Sequence, residues 1–158
     1  MMNDTMETAV GGLSRILAVR LKPGTDVLLG LEEACKANGI NNGVIISAIG
    51  SLKDPHFCNP VEMDNKAGYG YGETLHLTGP LELTSAAGII CHDEEGNTNL
   101  HVHMTVTDRH GNAHGGHLVE GTKVLLTVDV IIGEISGLVM GRKFYDDLGY
   151  ALFAPRQA

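Results

Sequence analysis

One stretch of the chain, residues 25–38, has apolar residues at helical spacing, which predicts a single amphipathic helix. Thr25 or Gly24 can cap the start of this helix, and Gly39 is a natural residue to end it. Asp26 places a negative charge where the positive end of the helix dipole favours one. The expected buried stripe consists of Val27, Leu28, Leu31, Ala34 and Cys35.

Most other apolar residues alternate with polar ones or form short continuous runs, as in β-strands. Clusters of Gly, Pro, Asn and Asp separate the strand candidates, which are 14–21, 43–52, 56–63, 70–78, 80–91, 99–107, 113–119 and 122–132. The pattern predicts one α+β domain over 13–155, after a loose leader at 1–12. We expect a mostly antiparallel sheet of about seven or eight strands and one principal helix.

Composition narrows the function classes. The chain has 158 residues and a net charge of −8, and its basic residues are scattered singly. An acidic surface repels phosphates, which argues against an autonomous nucleic-acid binder. Three cysteines without a Cys-x-x-Cys pair suggest reduced thiols in a cytoplasmic protein. The chain shows neither a signal-peptide pattern nor a run of about 20 apolar residues, so no membrane association is expected.

Candidate chemistry is concentrated in Asn99 to Gly121, NLHVHMTVTDRHGNAHGGHLVEG. Strict alternation over Leu100 to Thr107 places the imidazoles of His101 and His103 side by side on one face of a strand. Two such imidazoles can reach one ion.

The residues that follow predict a hairpin. If residues 109–111 form a three-residue loop, its final glycine takes the positive φ that such loops need. Asp108 then lies opposite Asn112. In the same register His103 lies opposite His117, and three imidazoles share one face unless a bulge at the adjacent glycines shifts the pairing.

Three imidazoles with an open fourth position are typical of catalytic zinc, although nickel, copper and iron also accept such ligands. Glu120 is the nearest carboxylate in sequence, and we consider it as a partner for an imidazole N–H or as a general base, although the register places it on the opposite face. The alternative is a solvated hairpin face without metal. The remaining histidines are expected to be structural or solvated; they are His56, His76, His92, His110 and His114.

Two further patterns are less specific. The Gly-Tyr-Gly-Tyr-Gly run at 68–72 suggests the tip of a hairpin, without the strand-to-helix context of a nucleotide loop. Arg142 and Lys143 precede Asp146 and Asp147; these residues could bind an anion or pair with one another, and we favour a solvated, salt-bridged turn.

Four segments have a familiar pattern: PGTDVLLGLEEACKANGINNGVIISAIGSL, LTGPLELTSAAGII, NLHVHMTVTDRHGNAHGGHLVEG and VLLTVDVIIGEI. From about Ile16 to Ala154 the chain resembles the PPC (plants and prokaryotes conserved) domain, a domain of unknown function. The resemblance implies an α+β fold, a homotrimer and, in prokaryotic members with these histidines, a metal that is expected to be zinc. The matching positions here are His101, His103 and His117.

The PPC domain also carries a DNA-binding label, because in plants it accompanies AT-hook motifs. This chain has no Arg-Gly-Arg-Pro core and no basic arm. Our first hypothesis is a trimeric metalloprotein that binds a small ligand or activates water, with no reaction selected. The alternatives are a DNA-binding or transcription-associated module and a trimeric scaffold, with 64–72 and 136–147 as its contact loops.

Overall fold

The computed structural model describes residues 5–158, which form one helix and twelve strands. Of the predicted leader, residues 1–4 lie outside this range, and the first strand begins at Gly12. The elements in chain order are β1 (Gly12–Leu21), α1 (Val27–Ala37), β2 (Gly43–Leu52), β3 (His56–Cys58), β4 (Pro60–Glu62), β5 (Tyr69–Tyr71), β6 (Leu75–His76), β7 (Leu81–His92), β8 (Thr98–Thr107), β9 (Ala113–Leu118), β10 (Val124–Ser136), β11 (Leu138–Tyr145) and β12 (Tyr150–Gln157).

Eight strands form one antiparallel path in the order β1-β10-β2-β7-β8-β9-β3-β6. The β11–β12 hairpin joins this sheet through a parallel contact between Gly141 and His92, and β4 and β5 form a separate pair. The predicted α+β class with a mostly antiparallel sheet is confirmed.

The number of strands exceeds the prediction for two reasons. Candidates 56–63 and 70–78 each divide into two short strands, because β3 and β6 join the main sheet while β4 and β5 pair with each other. The prediction of a solvated turn at Arg142 was wrong, since this residue lies within β11. Two adjacent cations interrupt the apolar alternation of that strand, which concealed it. The proposed contact loop at 136–147 is therefore mostly strand.

Helix α1 starts at Val27, two residues later than predicted. Its N-cap is Asp26, whose side chain accepts a hydrogen bond from the N–H of Leu29 at 3.2 Å, so Thr25 and Gly24 are not the cap. The other carboxylate oxygen of Asp26 accepts from the N–H of Gly121 at 2.7 Å. One side chain thus caps the helix and ties it to the turn after β9. Within residues 5–158 no helix is long and apolar enough to cross a membrane.

The helix covers one face of the sheet. It buries Val27, Leu31 and Cys35 and contacts β8 and β1. Strand β8 contributes alternate residues to the same core, namely Leu100, Val102, Met104 and Val106. The polar residues between them therefore lie on the sheet face away from the helix. All three cysteines are unpaired and buried, as expected for reduced thiols.

Candidate metal centre

The β8–β9 hairpin has the turn and register that its sequence predicts. The N–H of Asp108 donates to the carbonyl of Asn112 at 3.1 Å, and Gly111 has a φ of 83°. The carboxylate of Asp108 also accepts from the N–H groups of His110 and Asn112, at 2.8 and 2.9 Å. These bonds hold the turn that sets the pairing of both strands.

The pairing places His103 directly opposite His117, with no bulge between the two strands. The adjacent glycines instead allow close approach. A methyl group at Gly115 would overlap the carbonyl oxygen of Met104, and one at Gly116 would lie 2.7 Å from the carbonyl oxygen of Cys58. Glycine at both positions lets β9 lie tightly between β8 and β3.

The three imidazoles form a cluster on the face away from the helix. Ligand atoms of His101, His103 and His117 all lie within 4.8 Å of one another. The Nε2 atoms of His101 and His103 are 3.0 Å apart. The ring of His117 stands edge-on to both, with centroid distances of 4.9 and 5.5 Å. Two strands thus bring three imidazoles together at one point.

Tyr71 covers this cluster from β5. Its ring stacks on His117 with the centroids 4.4 Å apart, and its hydroxyl lies 3.5 Å from Nε2 of His101. The predicted hairpin tip at 68–72 thus contacts the cluster. Sequence reasoning did not assign Tyr71 to the site, because it arrives through the pairing of β3 with β9 and of β4 with β5.

The environment favours the neutral form of two of these imidazoles, His101 and His117. Burial, followed by the neighbouring His101 and His103, lowers the pKa of His117 to about 4. Burial and His103 likewise lower the pKa of His101. Arg142 acts in the same direction on both, which places its guanidinium close to the cluster. Neutral imidazole is the form that binds a metal ion.

Arg142 comes from β11 and lines a cavity of about 620 Å³ beside the cluster. Its Nη1 donates to the carbonyl of Ala151 at 3.1 Å, which anchors it to the paired strand β12. Sequence reasoning noted Arg142 and placed it in a solvated turn. Its position beside His101 depends on how the β11–β12 hairpin joins β7, and no short-range signal in the sequence reports that contact.

Comparison with known proteins identifies the family. Residues 8–136 match the Plants and Prokaryotes Conserved (PCC) domain. The chain belongs to this family. PCC and PPC are two abbreviations of the same domain name. The resemblance to the PPC domain that the histidine motifs indicated is thereby confirmed.

Two proteins with solved crystal structures are similar to this chain. The crystal structure of a PPC protein from Pyrococcus horikoshii is 30% identical and superimposes with a TM-score of 0.79, covering 94% of this chain and 96% of that one. A metal-containing protein from Archaeoglobus fulgidus shares the fold at 24% identity, with a TM-score of 0.79 and 94% and 99% coverage.

The curated relatives are much longer than this PCC domain. Two proteins named bifunctional protein GlmU, from two strains of Synechococcus, are 28% and 27% identical to the chain over 123 residues. These matches cover 78% of this chain but only 17% and 18% of the relatives. The chain therefore spans less than a fifth of their length.

Glu120 is not brought to the imidazoles of this PCC domain. It is exposed in the turn after β9 and is absent from the group of ligand atoms formed by the three histidines. Burial raises the pKa of Glu32 on α1. The positive charge of Lys36 opposes this rise, and the negative charge of Glu120 adds to it. Glu120 therefore lies near the helix, on the other side of the sheet, as the strand register had indicated.

The other five histidines do not join the cluster. His56 and His76 stack on each other with their centroids 4.5 Å apart, and Nδ1 of His56 lies 2.8 Å from the carbonyl of Asp54. His110 and His114 are exposed on the β8–β9 hairpin, and His92 ends β7. Their positions agree with the structural or solvated roles expected for them.

The donor set fits a transition-metal ion. Two nitrogen ligands of tetrahedral zinc lie about 3.3 Å apart, close to the 3.0 Å between the Nε2 atoms of His101 and His103. Nδ1 of His117 is buried without a hydrogen-bond partner among residues 5–158. A buried polar atom without a partner costs free energy, and a ligand bound at the cluster would give this nitrogen a polar neighbour. Which metal the site prefers is not fixed by imidazole ligands alone.

The low pKa of His117 predicts an acid-sensitive fold in metal-chelated protein. The folded-state pKa of about 4 lies below the unfolded value near 6.5, so the unfolded chain binds more protons between these values. We expect the free energy of unfolding to have its full value above pH 6.5. It should fall by about 2 kcal/mol as the pH is lowered to 4.

Urea denaturation at a series of pH values measures this dependence. His117→Gln should flatten it, because no imidazole is then protonated at that position. His114→Gln, on the same strand but exposed, should keep the wild-type dependence. An unchanged pH dependence in His117→Gln would contradict the assignment.

Proposed function

We propose that this PCC domain is a homotrimeric, zinc-binding protein in which His101, His103 and His117 hold the ion and an open coordination position binds a small ligand or activates water. The observation that carries the proposal is the convergence of three imidazoles, with ligand atoms within 4.8 Å of one another. Three protein ligands with one open position are typical of catalytic rather than structural zinc.

The surrounding residues have separable roles in this proposal. Zinc bound there would polarise a ligand oxygen and lower the pKa of bound water towards about 7. Tyr71 stacks on His117, which orients that imidazole and shields it from solvent. The positive charge of Arg142 disfavours protonation of His101 and His117, which keeps both available as ligands.

A trimer is supported by an exposed apolar face on the outer strands. Ile16 of β1, Ile46 and Ile49 of β2 and Leu126 of β10 are between 50% and 67% exposed. The strands that carry them are neighbours in the sheet. Exposed apolar side chains on neighbouring strands are suited to an interaction site, and a second and third copy of the chain are the occupants that the family resemblance implies.

The DNA-binding alternative has less support. The net charge of −8 disfavours binding to a polyanion, and the basic residues do not form a run. We therefore place the function of this chain at the three-histidine centre. The other alternative is a scaffold in which the ion has only a structural role. The ligand-binding test below distinguishes this alternative from the proposal.

Native mass spectrometry of the full chain tests metal and assembly together. After incubation with Zn²⁺ and removal of excess ion, we expect a trimer with about one zinc per subunit. His101→Ala/His103→Ala should remain a trimer without zinc, because the substitutions remove two ligands on the face away from the core. His110→Ala/His114→Ala, on the same hairpin, is the matched control and should bind zinc normally.

Three results would contradict the proposal. Stoichiometric zinc in His101→Ala/His103→Ala would exclude these imidazoles as the ligands. Wild-type protein that takes up neither zinc, cobalt nor nickel would make the cluster a solvated face of the hairpin. A monomer mass would reject the assembly independently of the metal.

A further inference from the structure

Within residues 5–158, Arg142 is a half-buried cation without an acidic partner. Its Nη1 bonds to the carbonyl of Ala151, but its Nε is buried and has no hydrogen-bond acceptor. None of the ion pairs formed within residues 5–158 includes Arg142. Its guanidinium also lies near the Cys91 thiol, whose pKa is raised by burial and lowered by Arg142. A cation removed from water in this way requires a compensating charge.

The cavity beside Arg142 offers no such charge of its own. It has a volume of about 620 Å³ and contains no carboxylate in its wall. Its lining residues are Tyr71, Asn99, Leu100, His101, His117, Arg142, Tyr150, Ala151, Leu152 and Phe153. The wall therefore combines one cation and two of the clustered imidazoles with aromatic and aliphatic side chains. In this wall Oδ1 of Asn99 and Nδ1 of His117 are two further buried polar atoms without a hydrogen-bond partner among residues 5–158.

The neighbouring cavity differs in its charges. Arg142 also borders this space of about 850 Å³, together with Lys143 and Arg156. Three carboxylates line it as well, those of Glu7, Asp93 and Glu94. The charges on that side are thus mixed, whereas the side that faces the imidazoles is only positive. The cavity on the imidazole side is therefore the one whose charge suits an anionic ligand.

The chemistry of the wall limits the kind of anion. A guanidinium binds a carboxylate through a planar pair of N–H donors. One cation matches a single negative charge, whereas a phosphate dianion is usually held by several cations or by a helix N-terminus. The side chains of Leu152 and Phe153 suit an apolar body attached to that single charge.

We propose that this cavity binds a small monocarboxylate with an apolar body, with Arg142 as its charge partner. The carboxylate end lies at Arg142, and the rest of the molecule lies along the wall that leads to His101 and His117. This inference names the class of ligand for the proposed function. It rests on that proposed function for the metal at the three-histidine cluster.

Isothermal titration calorimetry of zinc-loaded protein tests the proposal with benzoate as the probe. Benzoate should bind at least tenfold more tightly than acetate, which lacks the apolar body, and than benzamide, which lacks the charge. Inorganic phosphate is the competing oxyanion and should bind more weakly than benzoate. Arg142→Gln should weaken benzoate binding at least tenfold, and Arg142→Lys should weaken it less because the charge remains.

Arg156→Gln is the matched control. It removes the same charge from the paired strand, but Arg156 lines only the neighbouring cavity, so benzoate binding should stay at the wild-type level. Circular dichroism confirms that each variant is folded. The zinc content of every sample is measured separately, so that a missing metal is distinguished from a missing anion site.

The outcomes separate the two proposals. Equal affinity of benzoate for wild type and Arg142→Gln, tighter binding of phosphate, or no binding of any probe at millimolar concentration would overturn the monocarboxylate site. Zinc loss in Arg142→Gln would make Arg142 a support for the imidazoles and would also overturn it. If wild type holds no zinc, the proposed metal function fails, and the same titrations on metal-free protein still decide whether Arg142 binds a carboxylate.

Discussion

Zinc is expected to raise the free energy of unfolding of the wild-type protein by about 4 kcal/mol when the free ion exceeds its dissociation constant 1,000-fold. The reason is that the site exists only in the folded chain. His101 and His103 lie on β8 and His117 lies on β9, so the ligands converge only after the hairpin has paired. An ion that binds only the folded state stabilises it by mass action.

Denaturant unfolding with zinc and with chelator measures this difference. Protein concentration is held constant, because the proposed trimer would unfold in a concentration-dependent way. His101→Ala/His103→Ala should show no zinc effect, while His110→Ala/His114→Ala should respond like wild type. Stabilisation of the first variant by zinc as large as that of wild type would show that the ion binds elsewhere.

Leu31→Ala is expected to lower the free energy of unfolding by about 3 kcal/mol. Leu31 is 1% exposed at the centre of the stripe that α1 buries against the sheet. Removing its side-chain carbons loses their burial and leaves a cavity that the rigid strands below cannot fill. The substitution should destabilise the sheet as well as the helix, because α1 packs against β8 and shares one hydrophobic core with it.

Leu29→Ala provides a matched control for that substitution. It is the same chemical change in the same helix, two residues earlier, at a side chain that is 44% exposed. We expect a loss below about 1 kcal/mol. Chemical denaturation of both variants gives the comparison. Equal losses in the two variants would mean that the helix does not pack on the sheet as described.

These two effects should be independent because they act on opposite faces of β8. Leu31→Ala disturbs the face that carries Val102, whereas the metal ligands lie on the other face. The Leu31→Ala protein should therefore bind zinc with the wild-type stoichiometry as long as it remains folded. This separates a loss of stability from a loss of the site.

The convergence of His101, His103 and His117 could be predicted because every step was local. Alternation along one strand assigned His101 and His103 to one face, and the turn at Asp108 to Asn112 set the register that added His117. The same local rules located the helix within one or two residues. They placed Glu120 on the wrong face for a role at the cluster, and the structure agrees with that placement.

The sequence by itself determined the α+β class, the helix and the three-histidine hairpin, because short-range periodicity and turn chemistry report which face a residue occupies. Only the tertiary structure decided that Tyr71 covers His117 and that Arg142 lies beside the cavity. Both positions depend on pairing between segments far apart in the chain, and a short window of sequence holds no record of such pairing. The divided strands and the β11–β12 hairpin were missed for the same reason.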